Sequence, residues 1–260
     1  MNAPAADGPF LEVEGLSKHF GGIKAVQEVT FGVKKGGIVS MIGPNGAGKS
    51  TFINVVSGLY EPNAGRVRLL GEDIGGMPAH AVAARGIGRT FQLEELFGSL
   101  SVLENVMVGG HTRSRSGLFA CGFSLPSARR EEKRLREEAM TCLEEVGLAG
   151  KALYPISKLP LGERKLVGVA RAMAMKPKLL MLDEPAGGLA AHEVDQLVKL
   201  VYRLRSRGLT IFIVEHNMPF VMSLSERVVV LDEGKRIAEG TPDEVRNNEE
   251  VIKAYLGEEV

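Results

Sequence analysis

Residues 43–51 read GPNGAGKST. A short apolar run, GIVSMI at 37–42, leads into them, and an apolar helical stretch follows. Glycines at 43, 46 and 48 free the backbone to curl, so that successive N–H groups can face one point. The start of a helix adds its positive end there. The spacing G-x-x-x-x-G-K-[ST] between a strand and a helix therefore predicts a phosphate cradle. Lys49 supplies a point charge for the outer phosphates, and Ser50 a hydroxyl for Mg2+. The expected binding segment is Asn45, Gly46, Ala47, Gly48, Lys49, Ser50 and Thr51.

Such a loop needs a carboxylate for its metal. LLMLDEP, ending at Pro185, is a buried-strand pattern with acids at its C-terminal end. Asp183 is placed to hold Mg2+, directly or through water. Glu184 is placed to polarise an attacking water. TIFIVEH is another strand with polar residues at its end, among them His216. Strands alternating with helices imply a largely parallel sheet with helices on both faces. Ligands of such sheets gather at the carboxyl ends of the strands, where these clusters lie.

Around this centre the pattern changes twice. LEVEGL and VQEVTFGV alternate near the N-terminus, with Val29, Phe31 and Val33 on one face. Residues 65–73 alternate again, and 79–85 have helical character. From about 93 to 160 the chain reads as mainly helical. Within it, 110–128 is rich in glycine and serine and reads as a loop, in which Phe119 and Phe123 are unusual. Leu135, Ala139, Cys142/Leu143 and Val146 share one helical face, and Gly147 stops that helix. Leu166, Val169, Ala170 and Met173 mark a helix that ends before Pro177. Another helix is expected over 192–207. RVVVLDEGKRIAEG reads as a hairpin turned at Asp232-Glu233-Gly234.

Bulk properties narrow the class. A length of 260 residues, 44% of them hydrophobic, allows one large domain or a core with an inserted subdomain. Lys plus Arg is 32 and Asp plus Glu is 32, so no nucleic-acid partner is expected. The two cysteines, Cys121 and Cys142, make no disulfide framework. The first residues lack a secretory pattern, and no apolar run approaches the ~20 residues that cross a bilayer. A soluble protein is expected, with any membrane role exercised through a partner.

GPNGAGKST, TFQ at 90–92, GERK and ARAM at 162–173, LLMLDEP and IVEH, in that order, resemble the ABC ATPases over most of the chain. LSKHFGGIKAVQEVTF, GIGRTFQLEELFGSLSVLENVMVG and RIAEGTPDEVRNNEEVIKAYLG are similar to the ATPase subunits of branched-chain amino-acid importers. Urea and short-chain amide importers share much of this pattern. The resemblance implies an α/β fold: a P-loop NTPase (RecA-like) core with an antiparallel β subdomain and an inserted α-helical subdomain. The implied division is core and β subdomain at 10–92 and 165–257, helical subdomain at 93–164, and an N-terminal tail at 1–9. It also implies ATP and Mg2+ as cofactors. The implied partners are a second ATPase subunit, identical or different, integral membrane permeases and, indirectly, a periplasmic solute-binding protein. The place is the inner face of the cell membrane.

Residue by residue, the resemblance makes Phe20 the aromatic that stacks on adenine and Val26 the apolar residue beneath the base. Gln92 reaches Mg2+ and the attacking water, and His216 touches the γ-phosphate. In this family a Leu-Ser-Gly-Gly-Gln signature opens a helix and caps the ATP held by the opposite subunit. Here Pro160, Leu161, Gly162 and Glu163 occupy that slot, and only the second glycine is retained. Ala190 stands where most relatives carry Asp or Asn. These two departures motivate an alternative, a weakly hydrolysing regulatory subunit paired with a more active ATPase.

Overall fold

Each central strand is five or six residues long and apolar on both faces, so it must be covered on both sides. In the computed structural model, which describes residues 9–90, 96–111 and 126–256, β1 (Leu11–Phe20) and β2 (Ile23–Val33) form a hairpin. β3 (Ile38–Ile42) leads through the glycine loop into α1 (Lys49–Val56). There follow β4 (Ala64–Leu69), β5 (Glu72–Asp73), α2 (Ala79–Ala84), β6 (Ile87–Arg89), α3 (Val102–Gly110), α4 (Pro126–Glu145) and α5 (Leu161–Ala174). The chain continues with β7 (Leu179–Asp183), α6 (Ala191–Ser206), β8 (Thr210–Val214), α7 (Met218–Leu224), β9 (Arg227–Asp232), β10 (Lys235–Gly240), α8 (Pro242–Arg246) and α9 (Glu249–Leu256).

Among the described residues these strands make two sheets. An antiparallel sheet has the order β2-β1-β4-β5. A larger one has the order β10-β9-β3-β8-β7-β6, parallel from β9 to β6 and closed by antiparallel β10. Period-2 alternation turns the apolar residues of the larger sheet to two faces, where with the covering elements they form three cores. Ile38, Leu180, Leu182, Ile211 and Ile213 face α3, α4, α5 and α6. Val39, Met41, Leu179, Met181, Phe212 and Val214 face α1 and the antiparallel sheet. Helix α1 is thus held between the sheets, where Phe31, Phe52 and Phe212 meet with ring centroids 5.5–5.9 Å apart. Such ring contacts and full burial fix the helix, and with it the loop at its N-terminus.

The helical region shares its core with the sheet. Val102, Leu103 and Val106 of α3, Ala139 and Leu143 of α4, and Val167 and Ala170 of α5 are all buried with Leu180 and Ile213. The expected helical face of α4 is present, with Leu135, Ala139, Leu143 and Val146 buried. Two boundaries differ from the sequence expectation. Gly110 closes α3 and Pro126 opens α4, so the irregular stretch expected at 110–128 is shorter at both ends. Residues 112–125, with Phe119 and Phe123, lie outside the described residues, as does Gln92. No described helix is long and apolar enough to cross a membrane.

Two glycines of the loop are fixed by backbone contact. A Cβ on Gly43 would collide with the carbonyl oxygen of Leu231, and one on Gly48 with that of Ala25. Gly48 also has φ +97°, a conformation that side chains resist. Gly48→Ala is therefore expected to cost on the order of 3 kcal/mol of stability in urea denaturation. Gly21→Ala, at φ +57° with open space around it, is expected to cost only about 1 kcal/mol.

Candidate functional site

The glycine loop lies at the carboxyl end of β3 and opens onto a cleft of about 510 Å3. Asn45, Gly46, Gly48, Lys49, Ser50 and Thr51 line it, together with Ala25, Gln27, Glu184 and Glu233. Gly46 has φ +79° and nothing within 4 Å of where a Cβ would stand, so its open side faces free space. Ala47 is buried, and its carbonyl accepts the Gly234 N–H at 3.1 Å. The Gln27 side-chain amide donates to the Glu233 carbonyl at 2.7 Å. The loop is thereby tied to β2 and to the β9–β10 turn. Lys49 is 7% exposed, and its ammonium donates to the carbonyls of Gly43 at 2.6 Å and Pro44 at 2.8 Å. The first turn of α1 carries no acidic residue, and its N-cap, Gly48, offers no side-chain acceptor. Its orphan N–H groups keep their positive field.

At the end of β7 the two acids diverge. Asp183 pairs with Arg89 of β6 at 2.8 Å, both side chains 9% exposed. The same guanidinium donates to Asn54 Oδ1 of α1 at 2.7 Å and to Oγ of its C-cap Ser57 at 2.8 Å. Arg89 therefore joins β6, β7 and the phosphate-loop helix through one buried charge. Glu184 turns the other way, into the cleft, with its backbone at φ 45°. The Nδ1 of His216 lies 3.8 Å from Glu184 Oε1. Glu215 is fully buried, and its carboxylate accepts the N–H groups of Ala186, His216 and Asn217 at 2.7–3.0 Å. A carboxylate met by three backbone donors is an anchor for the turns on either side of it.

Pro160 is the N-cap of α5 and makes no side-chain capping bond. Leu161 is half-buried, and Glu163 pairs with Lys151 at 2.5 Å. Gly162 is buried, and a Cβ there would collide with the Glu193 carboxylate. Glu193 in turn accepts the N–H of Ala190, the N-cap of α6, at 2.8 Å. Alanine has no acceptor of its own, so only this half of a capping box exists.

Phe20 is 43% exposed at the end of β1, edge-on to Tyr60 at 5.3 Å, with Lys18 Nζ 5.0 Å from its ring centre. Val26 does not reach the cleft. It is 1% exposed and packs in the core between the sheets, because strand alternation turns Ala25 and Gln27 outward and Val26 inward. This overturns its expected place beneath a base. Sequence reasoning passed over Arg89, Lys165, Gln27 and Glu233. For Arg89 the available signal was a charged residue inside a short apolar strand, IGR, just before the TF pair.

The residues present suit a magnesium nucleotide. The loop offers backbone donors and a cation, and Ser50 and Asp183 offer hard oxygen ligands. Among the described residues no group of three or more His, Cys, Asp or Glu could hold a metal by itself. Mg2+ commonly takes one or two protein oxygens and completes its shell with phosphates and water, which this donor set allows.

Comparison with known proteins agrees with the geometry. The family described as "ABC transporter" matches residues 26–187, and "Branched-chain amino acid ATP-binding cassette transporter" matches 235–260. The high-affinity branched-chain amino acid transport ATP-binding protein BraF of Pseudomonas aeruginosa is 44% identical, covering 96% of this chain and 98% of its own. LivG of Escherichia coli, described in the same words, is 41% identical over the same shares. The crystal structure of an ATP-binding cassette of an ABC transporter in its ADP conformation superposes with a TM-score of 0.84 at 31% identity, covering 96% of this chain and 100% of that one. A dimeric bacterial ABC transporter cassette superposes at 0.77 with 25% identity, covering 89% of this chain and 98% of that one.

The Arg89–Asp183 pair makes a stability prediction. Arg89→Gln leaves a buried carboxylate without its cation and is expected to cost roughly 3–5 kcal/mol. Adding Asp183→Asn removes the stranded charge and is expected to recover part of that loss. A double-mutant cycle in urea measures the coupling.

Proposed function

The chain belongs to the ABC transporter family, as an ATP-binding subunit, and on that premise we propose that it hydrolyses ATP for an importer of branched-chain amino acids or related small solutes. The observation that carries the reading is one cleft in which the glycine loop, Lys49 and the Glu184 carboxylate meet, with His216 3.8 Å from that carboxylate. The solute class rests on the relatives. Two of them transport branched-chain amino acids, and the chain's last residues match a family of that description.

In this reading Lys49 and the N–H groups of residues 45–51 hold the phosphates, and Phe20 stacks on the adenine. Ser50 and Asp183, with Gln92, would hold Mg2+, which would supply charge neutralisation at the phosphates. Glu184 takes the proton of the attacking water, and His216 donates to the terminal phosphate. Asp183 is held at the end of β7 by Arg89, while Glu184 lines the cleft, so the two adjacent acids keep different tasks. Pro160, Leu161, Gly162 and Glu163 face the nucleotide of a second ATPase subunit, as the likeness to a dimeric cassette supports.

Residues 10–92 and 165–257 act as the nucleotide core, and 93–164 act as the subdomain that moves, with 1–9 as a tail. That subdomain offers an apolar surface. Phe97, Leu153 and Tyr154 are about half exposed or more, and backbone bonds join the 97–101 turn to residues 152–156. Buried Asn105 fixes that turn through hydrogen bonds to both backbone groups of Phe97. We place the membrane permeases there, at the cytoplasmic face, with the periplasmic solute-binding protein acting through them. The weakly hydrolysing alternative has Pro160 and Ala190 in its favour. Glu184, at the cleft, and His216, 3.8 Å from its carboxylate, favour turnover.

Glu184→Gln keeps shape and removes the base. Fluorescent-nucleotide titration is expected to show retained ATP binding, while phosphate release falls roughly 10²–10⁴-fold. Lys49→Ala removes the phosphate charge, and the same titration is expected to show binding at least tenfold weaker. Near-normal hydrolysis in the first variant, or unchanged binding in the second, contradicts the reading.

A further inference from the structure

Lys165 lies one turn into α5, three residues beyond Gly162 and so on nearly the same side of the helix. Its ammonium is part-buried, unlike that of a fully exposed surface lysine. It crosses to the loop after β7 and donates to the backbone carbonyl of Glu184 at 2.7 Å. Burial there pulls the lysine's pKa below its ordinary value, against the opposing pull of the Glu215 and Glu184 carboxylates.

The recipient is an unusual peptide. Glu184 has a left-handed backbone, φ 45°, which a non-glycine residue adopts only when its surroundings impose it. Its N–H is held by the Val214 carbonyl at 2.9 Å, from the sheet. Its C=O is held by Lys165, from α5, with a longer contact from the Gly187 N–H at 3.4 Å. The direction of the Glu184 side chain is therefore set from two sides, one rigid and one belonging to the helix that begins at Pro160. A second point of contact lies beside it, where Gly162 packs directly against Glu193 of α6.

We propose that Lys165 is a positioning residue, coupling the helix that begins at Pro160 to the carboxylate of Glu184 in the same chain. A shift of α5 moves the ammonium, the ammonium moves the carbonyl, and the Glu184 side chain turns with its own backbone. The inference rests on the reading of Glu184 as base and of residues 160–163 as the part that meets a partner's nucleotide. Under that reading, engagement of the opposite nucleotide is transmitted to the acid that works on this chain's own nucleotide. The two sites are then linked through a side chain that touches neither nucleotide.

The test compares Lys165→Met, Lys165→Arg and Lys165→Gln with the unaltered full chain. Nucleotide dissociation constants are measured with a fluorescent ATP analogue and Mg2+, and kcat is measured by phosphate release. Lys165→Met and Lys165→Gln are expected to bind within about twofold of the parent while kcat falls roughly 10- to 100-fold, the scale of a misplaced catalytic group. Lys165→Arg, which still presents a donor, is expected to recover most of that loss. Wild-type kcat in the Met and Gln variants overturns the proposal. A parallel loss of binding and kcat also overturns it, since that is general damage to the site. Glu184→Gln run alongside reports on the underlying reading by itself. If it hydrolyses normally, Glu184 is not the base, and the coupling has nothing to act on.

Discussion

The phosphate loop works because two backbones come closer to it than any side chain permits. Gly43 meets the carbonyl of Leu231, and Gly48 meets that of Ala25. One contact comes from the end of the parallel sheet and the other from the antiparallel hairpin. The loop is gripped between the two sheets, and α1 behind it is packed by Phe31, Phe52 and Phe212. Orientation of the N–H donors is therefore prepaid in folding, before a nucleotide arrives. Electrostatic stabilisation is strongest when the dipoles need no reorganisation at the moment of reaction.

The charges around the end of β7 follow one logic. Asp183, Glu184 and Glu215 lie close together in sequence or in space, and each meets a different environment. Asp183 is neutralised by Arg89, and Glu215 is saturated by three backbone N–H groups. Glu184 is left in the cleft, more exposed than either, with a histidine beside it. Three like acids would repel one another if all were bare. Pairing two of them allows the third to remain free for chemistry.

The segment 184–193 joins β7 to α6 and meets α5. It follows β7, accepts Lys165 from one side, and reaches Gly162 through Glu193. The core behind α3, α4 and α5 is continuous with the sheet, so the helical part cannot shift without some rearrangement here. Packed interiors respond to small shifts by changing between discrete arrangements. Glu184, with its left-handed backbone, opens this segment.

The sequence by itself determined the strand–loop–helix with its three glycines, the acids after β7, the order of strands and helices, and the polar residues at strand ends. Each of these is a local pattern: spacing in GPNGAGKST, alternation in the strands, a 3.6-residue period in α4. Only the tertiary structure decided that Val26 belongs to the core and that Ala25 and Gln27 face the cleft, because a register must be known before a face can be assigned. It alone brought Arg89 to Asp183 across 94 positions of sequence, and Lys165 to the carbonyl of Glu184 across 19. A backbone carbonyl or a buried acid leaves no mark on the identity of a distant residue. Partners such as these follow from the packing of whole elements, which no local pattern encodes.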